Sequence, residues 1–210
     1  MLSAGLFTSC TEKDNTVEEF ADWQSKNETY WNKLYTATQQ KIKSGDTSWK
    51  IILNYSYQNQ KQTSGSALTY SPEDYIIAHV EQAGAGTTSP LYSDSVSMHY
   101  MGRLIPSTTY TSGLIFDKSW SNDTFNATTS RPAHSYLGLT YNSEGKAVSL
   151  VDGFTTALMS MHRGDHWTVY IPHQLGYGTS ASGTVPAYST LIFDLRLVDF
   201  SHPGTKLKDS

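Results

Sequence analysis

Residues 151–200 constrain this chain more than any other stretch, reading VDGFTTALMSMHRGDHWTVYIPHQLGYGTSASGTVPAYSTLIFDLRLVDF. A short helical pattern leads through Gly164 into an alternating run. A loop marked by Pro172, Tyr177, Gly178 and Pro186 follows, and then a strongly apolar run that starts at Leu191. A helix and two strands this close in sequence must share one core. Aromatic residues recur at the turning points, while obvious nucleophiles and metal ligands are few. The stretch therefore predicts a pocket that works by shape and dryness.

Upstream, the pattern is also β. Residues 75–82 and 95–104 are strands, the second with polar and apolar residues alternating. Shorter strands are expected at 114–117 and 133–137, a helix at 150–161, and further strands at 166–172 and 191–200. Loops rich in Gly, Ser, Thr and Pro separate them, with Gly84-Ala85-Gly86 a turn. The expected fold class is α+β: an antiparallel sheet of about five or six strands with a single helix across it. Leu150, Val151, Phe154, Leu158 and Met161 form that helix's expected buried face. Gly153 lies inside the helical pattern at about 1 kcal/mol against Ala, which marks a close backbone approach or a late helix start.

Residues 16–45 read as a preceding helix, with Thr16 and Glu19 spaced as a capping box. Phe20, Trp23, Trp31, Leu34, Tyr35 and Ile42 make an apolar stripe that Asn27 and Thr38 interrupt. Gly45 is a suitable stop, with Lys41 and Lys43 in the last turn favouring the helix dipole. The stripe predicts packing on the main domain; the alternative is a homodimer arm. A strand at 49–55 and a polar loop at 58–66 follow. The expected division is a tether at 1–15, a helix-and-strand extension at 16–73, the main domain at 74–200 and a frayed tail at 201–210.

Charged residues are only 16% of the chain, the net charge is −4, and Lys and Arg form no run. That balance argues against a nucleic-acid partner. No apolar stretch approaches the roughly 20 residues of a membrane span. The single cysteine, Cys10, rules out an intrachain disulfide. Small and apolar residues run into Cys10 and polar ones follow, which resembles the end of a bacterial lipoprotein signal peptide, where the cysteine is lipidated after cleavage. The basic and most of the apolar parts of such a signal do not stand before it, a layout that a start assigned too far downstream would produce. An ordinary terminus with a free thiol is the other reading.

Six short pieces then stand in a telling order. They are Val96-Ser97-Met98-His99-Tyr100-Met101-Gly102-Arg103-Leu104, Phe116-Asp117-Lys118-Ser119, Val151-Asp152-Gly153-Phe154, Met161-His162-Arg163-Gly164-Asp165, Ile171-Pro172-His173-Gln174-Leu175-Gly176-Tyr177-Gly178 and Val185-Pro186-Ala187-Tyr188-Ser189-Thr190-Leu191-Ile192-Phe193-Asp194. Together they resemble the FKBP-type peptidyl-prolyl isomerases over residues 75–200, and the resemblance fails over the first seventy. It implies an FKBP-like half-barrel sheet wrapped on one short helix. It also implies an apolar proline pocket lined by Tyr100, Phe116, Val151, Phe154, Tyr177 and Phe193, with Asp117 as the charged rim group. Tyr100, Asp117 and Tyr177 would act on the substrate amide, and no cofactor or metal is implied. His162 and His166 are four apart with no third ligand beside them.

The implied activity is accelerated rotation of X–Pro bonds in exported proteins at a bacterial cell envelope, with Cys10 as lipid anchor. A non-catalytic FKBP-like module that holds unfolded or proline-containing segments is the alternative. Phe154 stands where the family usually has Trp, Ala133 where many members carry an aromatic wall residue, and Ala187 where a loop proline is usual.

Overall fold

The structure, a computed structural model, describes residues 18–60 and 67–207. Cys10 and Thr16 lie outside the described residues. The main sheet has seven antiparallel strands: β1 (Trp49–Leu53), β2 (Tyr75–Gln82), β3 (Ser95–Leu104), β4 (Ile115–Lys118), β5 (Ala133–Tyr136), β8 (His166–Ile171) and β9 (Leu191–Ser201). Their order is β1-β2-β8-β9-β3-β4, and β5 pairs with the first half of β3 while β4 pairs with the second. Two-residue strands β6 (Thr140–Tyr141) and β7 (Ala147–Val148) form a separate hairpin inside the segment expected to be a plain loop.

Period-two patterning explains the central strands. On β8, Trp167, Val169 and Ile171 are buried while His166, Thr168 and Tyr170 are half-buried. Ile76 and Ala78 of β2 and Leu191, Phe193, Leu195 and Leu197 of β9 supply the same core. Helix α2 (Asp152–Ser160) packs on this sheet through Phe154, Ala157 and Leu158. Gly153 permits the contact, because a Cβ there would collide with the Ile171 side chain. Both senses of the expected Gly153 signal hold: α2 starts one residue before it, and the backbone approach is close.

Helix α1 spans Trp23–Lys43, shorter than the pattern suggested. Asp22 at its N-cap is left-handed and makes no side-chain cap. Glu19 is engaged elsewhere: its carboxylate accepts from the Ser107 hydroxyl and from the Thr109 N–H at 2.9 Å. The C-terminus is a Schellman turn, with Gly45 at φ 91° and the Asp46 N–H reaching the Lys41 carbonyl at 3.0 Å.

The packed face of α1 carries Trp23, Asn27, Trp31 and Thr38 at helical spacing. The two polar residues read as interruptions of the stripe are therefore buried members of it, whereas Ile42 is exposed. The α1 face packs beside β1, with Lys41 over the Trp49 ring and the Trp31 indole donating to the Pro72 carbonyl. Beyond β9 the described tail also makes contacts, His202 Nδ1 lying 2.8 Å from the buried carboxylate of Asp94.

Candidate active site

One end of α2 and the strands β3, β4, β5 and β9 enclose a pocket of about 250 Å³. Tyr100, Phe116, Asp117, Val151, Phe154, Tyr177 and Phe193, the residues singled out in the sequence, all line it. Backbone pairing explains the convergence. Gly102 of β3 pairs with Phe193 of β9 on one side and with Asp117 of β4 on the other. The β3–β4 register then steps from Asp117 to Ile115, so Phe116 is the extra residue of a bulge. On a regular strand neighbouring side chains point to opposite faces; the bulge re-aims one of them, and Phe116 and Asp117 both reach the pocket.

The floor is a cluster of rings. Phe154 and Phe193 lie 4.8 Å apart at 66°, Phe116 meets Phe193 edge-on at 5.6 Å, and Tyr100 sets its edge against Phe154 at 5.8 Å. Edge-to-face packing of this kind adds about 0.5–1.5 kcal/mol per pair beyond area burial. Gly102 makes it possible: a Cβ there would lie 2.5 Å from the Phe116 ring and 2.7 Å from that of Phe193.

The polar groups sit at the rim. Tyr100 Oη donates to Asp117 Oδ2 at 2.9 Å. Burial, then the hydrogen bond to Asp117, pushes the Tyr100 phenol up to about 12, so it stays a neutral donor at physiological pH. Burial and the Asp117 charge also raise the Tyr177 phenol, although 40% of that residue remains exposed at the mouth. The carboxylate thus accepts from the Tyr100 phenol and acts on the Tyr177 phenol through its charge alone, beside an apolar floor.

Sequence reading missed several lining residues. Met98 stands two and four residues before Tyr100 and Gly102, on the same face of β3, and period-two counting would have found it. His134, Ser135 and Ser149 also line the wall beside Ala133 and Leu150. His134 and Ser135 are placed by β5 pairing with Ser95–Met98 of β3, which no local pattern announces, and Ser149 lies just before the start of α2. Val151 holds the N-cap of α2 in extended conformation rather than a helical position. His162 and His166 are not paired with one another: the first faces Asp165 and the second Asp194.

Comparison with known proteins bears on the family and the fold. The sequence model of the FKBP-type peptidyl-prolyl cis-trans isomerase family matches residues 86–198, more than half of the chain. The macrophage infectivity potentiator of Trypanosoma cruzi is 33% identical over 149 residues, 70% of this chain and 63% of that protein. The FKBP-type 22 kDa peptidyl-prolyl cis-trans isomerase of Escherichia coli is 30% identical over 130 residues, 61% of this chain and 52% of that protein. The chain thus spans less than two thirds of the length of these relatives. A crystal structure of a peptidyl-prolyl cis-trans isomerase from Pseudomonas syringae pv. tomato shares the fold, with a TM-score of 0.52 at 19% identity over 89% of this chain and 99% of that one.

Proposed function

The chain belongs to the FKBP-type peptidyl-prolyl cis-trans isomerase family, and from that premise we propose that it accelerates X–Pro bond rotation in polypeptides within the ring-floored pocket. The observation that carries this reading is the pairing of a dry aromatic floor with a Tyr100–Asp117 hydrogen bond at its edge. An X–Pro amide resists rotation because resonance holds it planar, with a barrier of about 18–20 kcal/mol, and uncatalysed exchange takes tens of seconds or longer. The planar form carries the greater charge separation, so water favours it; an apolar pocket withdraws that water and favours the twisted form. Phe154, Phe193, Phe116 and Val151 receive the proline ring in this proposal. Tyr177, at the mouth, holds a substrate carbonyl, and Asp117 both orients Tyr100 and faces the twisting amide. The reaction makes or breaks no covalent bond and moves no proton.

A prolyl-peptide assay with correctly folded chain tests the proposal. Acceleration over the uncatalysed rate is expected, reduced in Tyr177→Phe and Asp117→Asn. A folded chain that leaves the rate at background, yet still suppresses aggregation of an unfolded client, supports the holding module instead. The specific feature favouring that second reading is Ala133, a small residue on the pocket wall.

We further propose an envelope location with lipid attachment at Cys10, supported by the small-residue run before that cysteine. Metabolic labelling with an acyl-chain analogue tests it, and Cys10→Ala should abolish the label. A homodimer through α1 is less favoured, because Trp23, Asn27, Trp31 and Thr38 are spent on contacts within the chain. Sedimentation of the chain as a monomer at micromolar concentration is the expected result.

A further inference from the structure

Helix α1 lies outside the residues matched by the family, yet hydrogen bonds tie it to residues 186–190 of the loop that precedes β9. Asn27 Oδ1 accepts from the Thr190 N–H at 2.7 Å, and Asn27 Nδ2 donates to the Trp23 carbonyl at 2.8 Å. The Trp23 indole N–H donates to Ser189 Oγ at 2.8 Å, and that hydroxyl donates to the Pro186 carbonyl at 2.7 Å. Asn27, Trp23, Ser189 and Thr190 are almost fully buried, Asn27 at 1% and Thr190 at 2% exposure.

The next residue back, Tyr188, is a non-glycine at φ 64°, a backbone state that persists only where surroundings impose it. Its N–H donates to the Gly178 carbonyl at 3.0 Å, and the Gly178 N–H donates to the His173 carbonyl at 2.8 Å. Tyr177 stands between these ties.

Building on the isomerase reading, we propose that Asn27 and Trp23 are positioning residues: they clamp residues 185–190 and thereby hold Tyr177 over the pocket. The buried Thr190 N–H has its acceptor only while α1 is docked, so the helix and the mouth of the pocket are one cooperative unit. Removing the Asn27 acceptor strands a buried N–H, which the loop relieves by moving its end toward water. Tyr177 then loses its aim, while the ring floor formed by Phe154 and Phe193 is untouched.

Full-length chains carrying Asn27→Ala, Trp23→Phe and Tyr177→Phe, and the Asn27→Ala/Tyr177→Phe and Trp23→Phe/Tyr177→Phe pairs, test this in a prolyl-peptide exchange assay. Asn27→Ala and Trp23→Phe should each lower kcat/KM by about five- to ten-fold. Asn27→Ala should cost little further once Tyr177 is already Phe, because both changes remove the same interaction. An equal loss in both backgrounds, or kcat/KM within about two-fold of the parent in folded Asn27→Ala and Trp23→Phe, overturns the proposal. Should Asn27→Ala fail to fold, Trp23→Phe alone and paired with Tyr177→Phe decides in the same way.

Amide exchange separates this proposal from the enzyme reading. Protection at Tyr188 and Thr190 should fall in both Asn27→Ala and Trp23→Phe, whether or not the chain isomerises prolines. Unchanged protection sinks the clamp, whereas an inactive parent chain sinks the enzyme reading alone.

Discussion

At position 102 the absence of a Cβ lets two phenylalanine rings meet, and that contact builds the pocket floor. An added methyl would press on Phe116 from one side and Phe193 from the other. Phe193 is wedged against Phe154 and Tyr100, so it cannot swing away freely. Gly102→Ala should therefore cost about 1–3 kcal/mol by overpacking. Urea unfolding measures that cost, and the isomerase assay should show a larger relative loss than stability alone explains. Tyr100→Phe probes the rim instead. It keeps the edge-on ring contacts and deletes the donor to Asp117. The melting temperature should stay within a few degrees of the parent while kcat/KM drops about three- to ten-fold, matching one lost charge-assisted hydrogen bond that acts only in part on the transition state. An unchanged kcat/KM would show that the phenol serves packing alone.

Among the elements, those whose signals are local were legible in the chain and those held by distant partners were not. β2 and β3 begin and end where the sequence places them, at 75–82 and 95–104, because turn-forming residues bound each apolar-containing run. The pocket residues were legible because ordered short motifs mark them, and the wall at His134 and Ser135 was not, because strand pairing alone brings it in. The β6–β7 hairpin was invisible for a different reason: its strands are two residues long and exposed, with no buried face to imprint a period. The start of α1 was misplaced because Glu19, a plausible capping partner by spacing, binds residues 107–109 across the fold.

That long-range contact has a pH signature. The Ser107 and Thr109 hydrogen bonds lower the Glu19 carboxyl from 4.5 to about 2. A depressed folded value means the contribution is complete above the ordinary 4.5 and is lost as pH falls toward 2. The small stability gap between the parent and Glu19→Gln should hold constant from neutral pH down to about 5 and close by about pH 2 in melts across that range. A gap that persists unchanged at the acid end would show that the carboxylate is not the group at work.

At the scale of the whole molecule, the extension and the family-matched region share a sheet, a helix contact and a core. β1 pairs with β2 along all five of its residues, covering what would otherwise be an open edge. Just past β1, the Asn54 side chain and the Tyr55 N–H both bond to Thr156 of α2, the helix that carries Phe154. Trp23 belongs to the same buried cluster as Leu175, Val185 and Leu191. A chain cut to begin at residue 74 would keep every pocket-lining side chain and lose all of this support. Burial of one tryptophan alone is worth about 3–5 kcal/mol by truncation, comparable with the total stability of many domains. The shortened chain should thus melt at a markedly lower temperature than the full chain and bind a hydrophobic dye. Its exposed β2 edge should drive self-association in size-exclusion chromatography. A monomeric product with the parent's melting temperature and full kcat/KM would mean that the extension merely rests on the domain. A destabilised product whose activity per folded molecule is also reduced would tie α1 and β1 to the pocket itself.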